Sequence, residues 1–282
     1  MRCRPAVLPC LPLLLAACTL DSFLFNEQEL QQYQLPGNTI PGSLIQEVTL
    51  LSGGYTLYGF WVRSNGVRPG VTILYCHGNK HNIDEYWDRV MFLHELGVNV
   101  FIFDYRGFGR SQGKSTSEAG LLADGDAALA YVLSRLEVNP DSVGLYGFSL
   151  GNVVSIYLAT QRFVPGFLVA EAPFASAASL AQGSVNLALP AGWLTEGRFD
   201  NVERVPFIRA PLLLLHGTED DFVRYRDNGR VVYENAPQPK QLVLVPGAVH
   251  EDVPQRMGLD EYRRVIREWI DASLGIVPKE KQ

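Results

Sequence analysis

A serine flanked by glycines stands between a short apolar run and a helix-like run. The string G-F-S-L-G occupies residues 147–151, after the strand-like residues 143–146 and before the apolar residues 153–159. Glycines at this spacing allow a sharp strand-to-helix turn that lifts the serine hydroxyl out of the sheet, and the next amide, on Leu150, can point at a developing oxyanion. Such a string can arise by chance in a glycine-rich turn. The strand before it and the helix after it favour a nucleophile at Ser149.

A serine hydroxyl is a weak nucleophile at neutral pH, so it needs a histidine base, and the histidine needs a carboxylate that fixes its tautomer. The chain has five histidines. His250 follows the last strand-like run and precedes the final helical pattern, which places it at the carboxyl edge of a parallel sheet, where ligand chemistry takes place. His94 lies in a helical pattern, and His216 closes an apolar strand. We therefore predict that His250 is the base.

Four carboxylates compete to orient this histidine. Glu219, Asp220 and Asp221 follow the strand-like run that ends at His216, and Asp252 lies close to His250. The chain order nucleophile, acid, histidine favours the first three. The residues themselves leave the choice open.

A second oxyanion donor is expected in the loop after the third strand. That loop reads H-G-N-K-H over residues 77–81, which predicts the backbone amide of Asn79 as the donor. His77 and His81 could instead be metal ligands, but their spacing puts two imidazoles on one face only in a helix, and the Gly-Asn between them indicates a loop. We expect neither a metal nor a cofactor.

A cysteine nucleophile is the other alternative in this region. Cys76 lies at the end of an apolar strand beside His77. No glycine-flanked turn surrounds it, and buried cysteines usually act as small hydrophobic residues. The sequence therefore favours Ser149 over Cys76.

Strand-like and helix-like segments alternate along most of the chain, which predicts a mostly parallel sheet of eight strands covered by helices on both faces. The predicted strands are 45–51, 56–62, 71–76, 98–104, 143–147, 167–171, 212–216 and 241–245. The predicted helices are 83–96, 117–136, 150–160, 225–235 and 259–273. Residues 175–209 are longer than a simple crossover and are predicted to form a small lid, or else a longer helix with a loop.

Composition and charge exclude several classes of partner. The chain has 282 residues, of which 47% are hydrophobic and 19% charged, as in ordinary globular proteins. Its formal net charge of −6 provides no basic field that would attract nucleic acid or anionic lipid headgroups. We expect a small-molecule substrate and no nucleic acid, and the oligomeric state is left open.

The amino terminus has the features of a targeting segment. Arg2 and Arg4 precede a short apolar run over residues 7–15, which is too short to span a bilayer. The run ends in L-A-A-C, which resembles the lipobox of bacterial lipoproteins and implies a signal peptide over residues 1–17 and a lipidated terminus at Cys18. An ordinary secretory peptide cleaved after a small residue is the alternative.

The lipobox implies a location and a cysteine inventory. Thr19 follows the lipidated cysteine, which favours the outer membrane of a bacterial cell envelope, on the periplasmic side. Cys3 and Cys10 would leave with the signal peptide, so Cys76 would be the one free thiol and no disulfide could form in the mature chain.

Several segments together resemble the α/β-hydrolase superfamily, in the small-lid branch of serine esterases and depalmitoylases. The similar segments are H-G-N at 77–79, D-Y-R-G-F-G-R-S at 104–111, the turn at 147–151 and E-A-P-F-A-S at 171–176. The match covers residues 45–274. The implied organisation is a tether and lead-in over 18–44, a hydrolase domain over 45–276 and a tail over 277–282. Asn152 departs from the family, which often has a smaller residue there.

The resemblance also selects the acid and the reaction. Hydrolases with this segment generally show H-G-x-x-D-x-x-V, which matches Asp220 as the triad acid beside Ser149 and His250. The turn at 104–111 is expected to be structural, and Asp124 and Asp126 are expected to face solvent or cap a helix. The implied activity is hydrolysis of carboxylic esters or thioesters. A peptidase or amidase with the same triad, or a non-catalytic envelope lipoprotein that uses the fold for binding, is the alternative.

Overall fold

The computed structural model describes residues 24–114, 117–184 and 197–276. The strands of this part of the chain are β1 (Asn26–Glu27), β2 (Ile45–Ser52), β3 (Tyr55–Val62), β4 (Thr72–Cys76), β5 (Lys80–His81), β6 (Asn99–Phe103), β7 (Val143–Phe148), β8 (Phe167–Glu171), β9 (Leu212–Gly217) and β10 (Lys240–Val245). Eight of them form the central sheet in the order β10-β9-β8-β7-β4-β6-β3-β2, in which β3 is antiparallel to both β6 and β2 and all other neighbouring strands are parallel. The predicted fold class, an eight-stranded mostly parallel α/β sheet, is confirmed.

The apolar runs are strands because helices cover both faces of the sheet. Every residue of the five inner strands β4, β6, β7, β8 and β9 is buried, as expected for a parallel sheet with two covered faces. The helices are α1 (Trp87–His94), α2 (Glu118–Ser134), α3 (Gly151–Gln161), α4 (Ala177–Ser184), α5 (Asn201–Arg204), α6 (Gly229–Asn235), α7 (Val253–Met257) and α8 (Leu259–Leu274). Helices α2 and α3 pack on one face, and α1 and α8 pack on the other.

The segment predicted as a lid, residues 175–209, contains helices α4 and α5. Residues 185–196 lie outside the described residues, so the prediction of a lid stays a prediction. The predicted signal peptide over 1–17, Cys18 and the tail over 277–282 also lie outside them. Within the described part of the chain, no helix is both long enough and apolar enough to cross a membrane.

A second, smaller sheet has no counterpart in the sequence prediction. Strand β1 pairs in parallel with strand β5, which follows the loop after β4. Each strand has only two residues, too few for the alternation that marks a strand in sequence. The amino-terminal segment therefore lies directly against the loop that carries Asn79.

Candidate active site

The turn between β7 and α3 is strained at Ser149. This residue has φ of +50°, in the left-handed region that residues other than glycine rarely adopt. The flanking glycines make the turn possible, because a Cβ on Gly151 would lie 1.9 Å from the Cys76 carbonyl oxygen and one on Gly147 would lie 2.4 Å from Ser155 Oγ. The sequence thus forms a turn that presents Ser149 at the carboxyl edge of the sheet, where the amino-terminal end of α3 also points.

Asn152, which departs from the family pattern, holds this turn in place. Its side chain is fully buried, and its Nδ2 donates to the Ser149 carbonyl oxygen at 3.1 Å and to the Glu171 carbonyl oxygen at 2.8 Å. The Ser149 N–H donates to the same Glu171 oxygen at 3.0 Å. A glycine or alanine at position 152 could not make these bonds. The asparagine therefore joins the turn to the end of strand β8.

Ser149, His250 and Asp220 form one hydrogen-bonded chain. Ser149 Oγ lies 2.9 Å from His250 Nε2, and His250 Nδ1 lies 2.8 Å from Asp220 Oδ2. An ionised carboxylate only accepts hydrogen bonds, so the Nδ1–H of His250 donates to Asp220 and leaves Nε2 free to accept the serine proton. The structure thus brings together three residues that are separated by up to 101 positions in the chain.

Of the four competing carboxylates, Asp220 is the one that reaches His250. It is 4% exposed, and its Oδ1 accepts the backbone N–H groups of Phe222 at 3.1 Å and Val223 at 2.7 Å. Burial alone would raise the pKa of Asp220, but hydrogen bonds from His216, His250 and the Val223 amide outweigh it and hold the pKa well below its ordinary value.

The other three carboxylates have different surroundings. Glu219 and Asp221 are exposed, and Asp252 Oδ1 accepts the Val249 N–H at 2.7 Å. The acid chosen from the family pattern is therefore the one whose carboxylate contacts the histidine.

The loop that carries Asn79 is fixed by its own histidine. His77 is fully buried, and its Nδ1 lies 2.7 Å from the Gly78 carbonyl oxygen, which belongs to the same peptide group as the Asn79 N–H. The Tyr105 hydroxyl donates to the His77 carbonyl oxygen at 2.9 Å, and His77 Nε2 lies 3.2 Å from Asp104 Oδ1. These contacts orient the Gly78–Asn79 peptide plane, which sets the direction of the amide predicted as an oxyanion donor.

The geometry supports neither a metal site at His77 and His81 nor a cysteine nucleophile at Cys76. His77 contacts Asp104, whereas His81 Nδ1 contacts Glu85 at 3.3 Å. Across residues 24–114, 117–184 and 197–276, no three His, Cys, Asp or Glu side chains are grouped so that they could hold a metal ion. Cys76 is fully buried, and burial raises the pKa of its thiol, which opposes formation of a thiolate.

A buried ion pair behind the site was not predicted from the sequence. Arg89 Nη2 lies 2.9 Å from Glu171 Oε1, and the two side chains are 4% and 0% exposed. The same Nη2 donates to the Glu251 carbonyl oxygen at 2.9 Å, next to His250, and the guanidinium lies 4.2 Å from the centre of the Phe148 ring. Burial would lower the pKa of Arg89, but the surrounding acidic groups, of which Glu171 contributes most, together outweigh it and raise the pKa well above the ordinary value.

Phe148 connects this ion pair to the candidate base. Its ring centroid lies 5.2 Å from that of His250, so Arg89 supports the histidine loop both through the Glu251 carbonyl and through Phe148. Glu171 also accepts a hydrogen bond from the Tyr262 hydroxyl at 2.9 Å, and Tyr146 contacts it as well. No local pattern links these residues, because they come from different elements of the fold.

One sequence expectation about acidic residues is wrong. Asp124, expected to face solvent or cap a helix, is fully buried and pairs with Arg106, with Nη2 at 2.7 Å from Oδ1. The Arg106 N–H also donates to Asp124 Oδ2 at 2.8 Å. The partner of Asp124 lies 18 positions earlier in the chain, so helical periodicity could not reveal it. Asp126 is half-buried and pairs with Arg162 at 2.9 Å.

A cleft of about 660 Å³ lies beside His250. Its lining includes Asn26, Asn79, Lys80, Phe222 and Val249. Because the cleft contains both the candidate base and the loop of the candidate oxyanion donor, it is the place where a substrate could meet Ser149. Among the residues predicted for the site, only Cys18 lies outside the described part of the chain.

The sheet, the strained serine turn and the order of Ser149, Asp220 and His250 define an α/β-hydrolase fold. The family model for serine aminopeptidases of type S33 matches residues 68–196. An uncharacterized protein of Mycobacterium tuberculosis, MT2364, is 32% identical over 95% of this chain and 96% of its own length.

Two solved structures are similar in fold. The Pyrococcus furiosus esterase Pf2001 has a TM-score of 0.70 with 22% identity over 89% of this chain and all of that protein. Est1E from Butyrivibrio proteoclasticus, solved with ferulic acid bound, has a TM-score of 0.67 with 18% identity over 81% of this chain and 99% of that protein. The chain therefore has the α/β-hydrolase fold and belongs to the same family as MT2364.

Proposed function

We propose that the protein is a serine hydrolase that cleaves carboxylic esters or thioesters through an acyl-enzyme. The observation that carries this proposal is the unbroken hydrogen-bonded chain from Ser149 through His250 to Asp220, at a turn whose backbone is strained. A strained nucleophile turn, a base in contact with it and an ionised acid in contact with the base are the parts that acyl transfer requires.

The first half of the reaction forms the acyl-enzyme. Ser149 Oγ attacks the acyl carbon while His250 Nε2 takes its proton, and the Asn79 and Leu150 amides donate to the oxyanion of the tetrahedral intermediate. Asp220 stabilises the imidazolium that forms. When the intermediate collapses, the bond to the leaving oxygen or sulfur breaks, and His250 gives its proton to the alcohol or thiol.

The second half releases the acid. A water molecule attacks the acyl-enzyme carbonyl while His250 takes a proton from it, and collapse of the second intermediate returns that proton to Ser149. The same two amides stabilise both intermediates. Neither half requires a metal or an organic cofactor.

The triad is tested by replacing the nucleophile. Ser149→Ala is expected to lower kcat for 4-nitrophenyl acetate by at least about a thousandfold and to abolish labelling by a fluorophosphonate probe. The matched control is Ser134→Ala, since Ser134 lies at the end of α2 and its hydroxyl donates to the Tyr131 carbonyl oxygen. Unchanged turnover in folded Ser149→Ala would overturn the assignment.

Amide hydrolysis is the second candidate, and the match to serine aminopeptidases of type S33 favours it. The same residues cleave amides, and the fold does not decide between the substrates. A panel of 4-nitrophenyl esters, acyl thioesters and aminoacyl 4-nitroanilides separates the two. The proposal expects kcat/KM to be highest for esters or thioesters, whereas a preference for the anilides would favour a peptidase.

We further propose that Cys18 is lipidated and anchors the protein on the periplasmic side of a bacterial envelope, with the outer membrane favoured. The L-A-A-C string at residues 15–18 after a short apolar run supports this. Cys18→Ser is expected to move the protein from the membrane fraction to the soluble fraction. Unchanged fractionation would overturn the anchor but would not affect the triad.

A further inference from the structure

The segment that follows the proposed lipid site is built into the wall of the candidate active site. Leu24 and Phe25 are 2% and 4% exposed, and the Phe25 ring lies 6.0 Å from that of Phe199. The next residue, Asn26, lines the cleft beside His250, and its N–H donates to the Asn79 carbonyl oxygen at 3.2 Å. The amino-terminal segment therefore contacts the residue predicted as an oxyanion donor.

Further contacts hold the segment along its length. Gln28 donates its N–H to the His81 carbonyl oxygen at 3.1 Å, and its own carbonyl oxygen accepts the Gly109 N–H at 2.9 Å. The Leu30 N–H donates to the Gly109 carbonyl oxygen at 2.8 Å, and the Tyr33 hydroxyl donates to buried Asp104 at 2.6 Å. From Leu24 onward the segment is thus a fixed part of the domain rather than a free tether.

The length of chain before this docked segment limits the distance to an anchor. Leu24 is six positions after Cys18, with five residues between them. A fully extended chain covers at most about 3.3–3.6 Å per position, or about 20 Å in all. Asn26 at the cleft is two residues further, which adds about 7 Å. A lipid on Cys18 would therefore hold the wall of the cleft within about 30 Å of the membrane surface.

Charge alone would not bring the cleft to a membrane. The exposed residues of the segment include Glu27 and Glu29, and the cleft carries Asp221 and Glu251. Lys80 in the cleft lies 3.1 Å from Glu85 and 3.6 Å from Glu251, so its charge is compensated. Anionic headgroups would be repelled, and the position of the cleft at the membrane would depend on the anchor.

We propose that the active-site cleft faces the membrane that holds the anchor and hydrolyses acyl esters of amphiphilic molecules embedded there. This inference rests on the proposed hydrolase function and on lipidation of Cys18. The apolar side chains of Phe222 and Val249 in the cleft suit an acyl chain, and Val249 is 42% exposed. The short anchor keeps the reacting serine near a surface-bound substrate.

The test varies the distance between anchor and domain in the full-length lipidated protein. Three forms are placed in phosphatidylethanolamine and phosphatidylglycerol vesicles that carry 4-methylumbelliferyl palmitate: the parent, a form with forty residues of EAAAK repeats inserted after Asp21, and a form with forty Gly-Ser residues at the same position. The helical insert extends about 60 Å and lifts the domain from the surface, whereas the flexible insert allows it to return. We expect vesicle turnover to fall at least tenfold with the rigid insert and by less than threefold with the flexible one.

Turnover of 4-methylumbelliferyl acetate in solution distinguishes failure of the membrane-facing cleft from failure of the proposed hydrolase function. It should be the same in all three forms, because the inserts lie outside the cleft. If acetate is hydrolysed and the rigid insert leaves vesicle turnover unchanged, the membrane-facing cleft is refuted while the hydrolase stands. If no form hydrolyses acetate or reacts with a fluorophosphonate, the proposed function itself fails.

Discussion

The buried ion pair between Arg89 and Glu171 should be the most consequential contact outside the triad. We consider Arg89→Met, which keeps most of the side-chain volume and removes the charge. Glu171 is fully buried, so its carboxylate would lose its only close cation among the described residues. Breaking a buried pair in this way costs about 3–5 kcal/mol of unfolding free energy, which corresponds to a fall in Tm of about 10 °C for a protein of this size.

Two further variants distinguish the effect of the lost charge on stability from the effect of lost packing. Arg89→Met combined with Glu171→Gln leaves no unpaired charge, and the new amide oxygen could still accept from Tyr262, so this double variant should be more stable than Arg89→Met alone. The matched control is Arg264→Met, because Arg264 is half exposed and its ion pairs with Glu261 and Glu268 lie on the surface. That substitution should cost about 0.5 kcal/mol or less.

The assay combines urea unfolding with turnover of 4-nitrophenyl acetate at a temperature where all variants are folded. Arg89 supports the His250 loop through the Glu251 carbonyl and Phe148, so Arg89→Met should lower kcat by about tenfold, equivalent to about 1.4 kcal/mol, with KM changing less than threefold. A stability loss for Arg89→Met below about 1 kcal/mol, or a double variant no more stable than Arg89→Met alone, would contradict this account of the buried pair.

Three further predictions concern the same site. Asn152→Ala removes two buried hydrogen bonds to the serine turn and should lower the free energy of unfolding in urea by about 2–3 kcal/mol. The control Asn235→Ala, on the exposed end of α6, should lower it by less than about 1 kcal/mol. Equal losses of unfolding free energy in the two variants would contradict the role of Asn152 in holding the turn. Hydrogen bonds lower the pKa of Asp220, so its contribution to stability is present above the unfolded-state pKa of about 3.9 and is lost as pH falls through the folded value. The difference in unfolding free energy between the parent and Asp220→Asn should accordingly be constant near neutral pH and decrease below about pH 4. An increase in this free-energy difference at acidic pH would contradict a lowered pKa of Asp220. Cys76 is fully buried with a raised thiol pKa, so iodoacetamide should leave it unmodified by mass spectrometry and leave turnover unchanged, and rapid alkylation with inactivation would reopen the cysteine alternative.

The sequence predicted those parts of the fold that depend on local pattern. Strand β8 begins and ends where expected, at Phe167 and Glu171, because a short apolar run between turn residues has few other stable arrangements in a doubly covered sheet. Helix α6 begins later than predicted, at Gly229 instead of position 225. Asn228 explains the difference, since its buried side chain accepts the Ala175 N–H at 3.1 Å and fixes a turn before the helix.

The parts of the site that were predictable lie at the carboxyl ends of strands. Ser149, Asp220 and His250 each follow a strand whose position the apolar pattern gives, so their convergence follows from parallel strand direction alone. The choice among adjacent acids does not follow from it. Asp220 is more buried than Asp221, and its carboxylate accepts hydrogen bonds from two backbone N–H groups. Both features depend on the path of the loop, which the apolar pattern does not predict. The choice of Asp220 therefore came from the resemblance to a family.

Contacts between distant elements were beyond sequence reasoning for a different reason. Arg89 and Glu171 are 82 positions apart, and each alone reads as an ordinary charged residue. The Asn26 N–H bond to Asn79 uses only backbone atoms, so no side-chain pattern encodes it. Yet this bond places the start of the docked chain beside the candidate oxyanion donor. With the proposed anchor at Cys18, the position of the cleft relative to the membrane is therefore set by this backbone contact and by the five residues between Cys18 and Leu24.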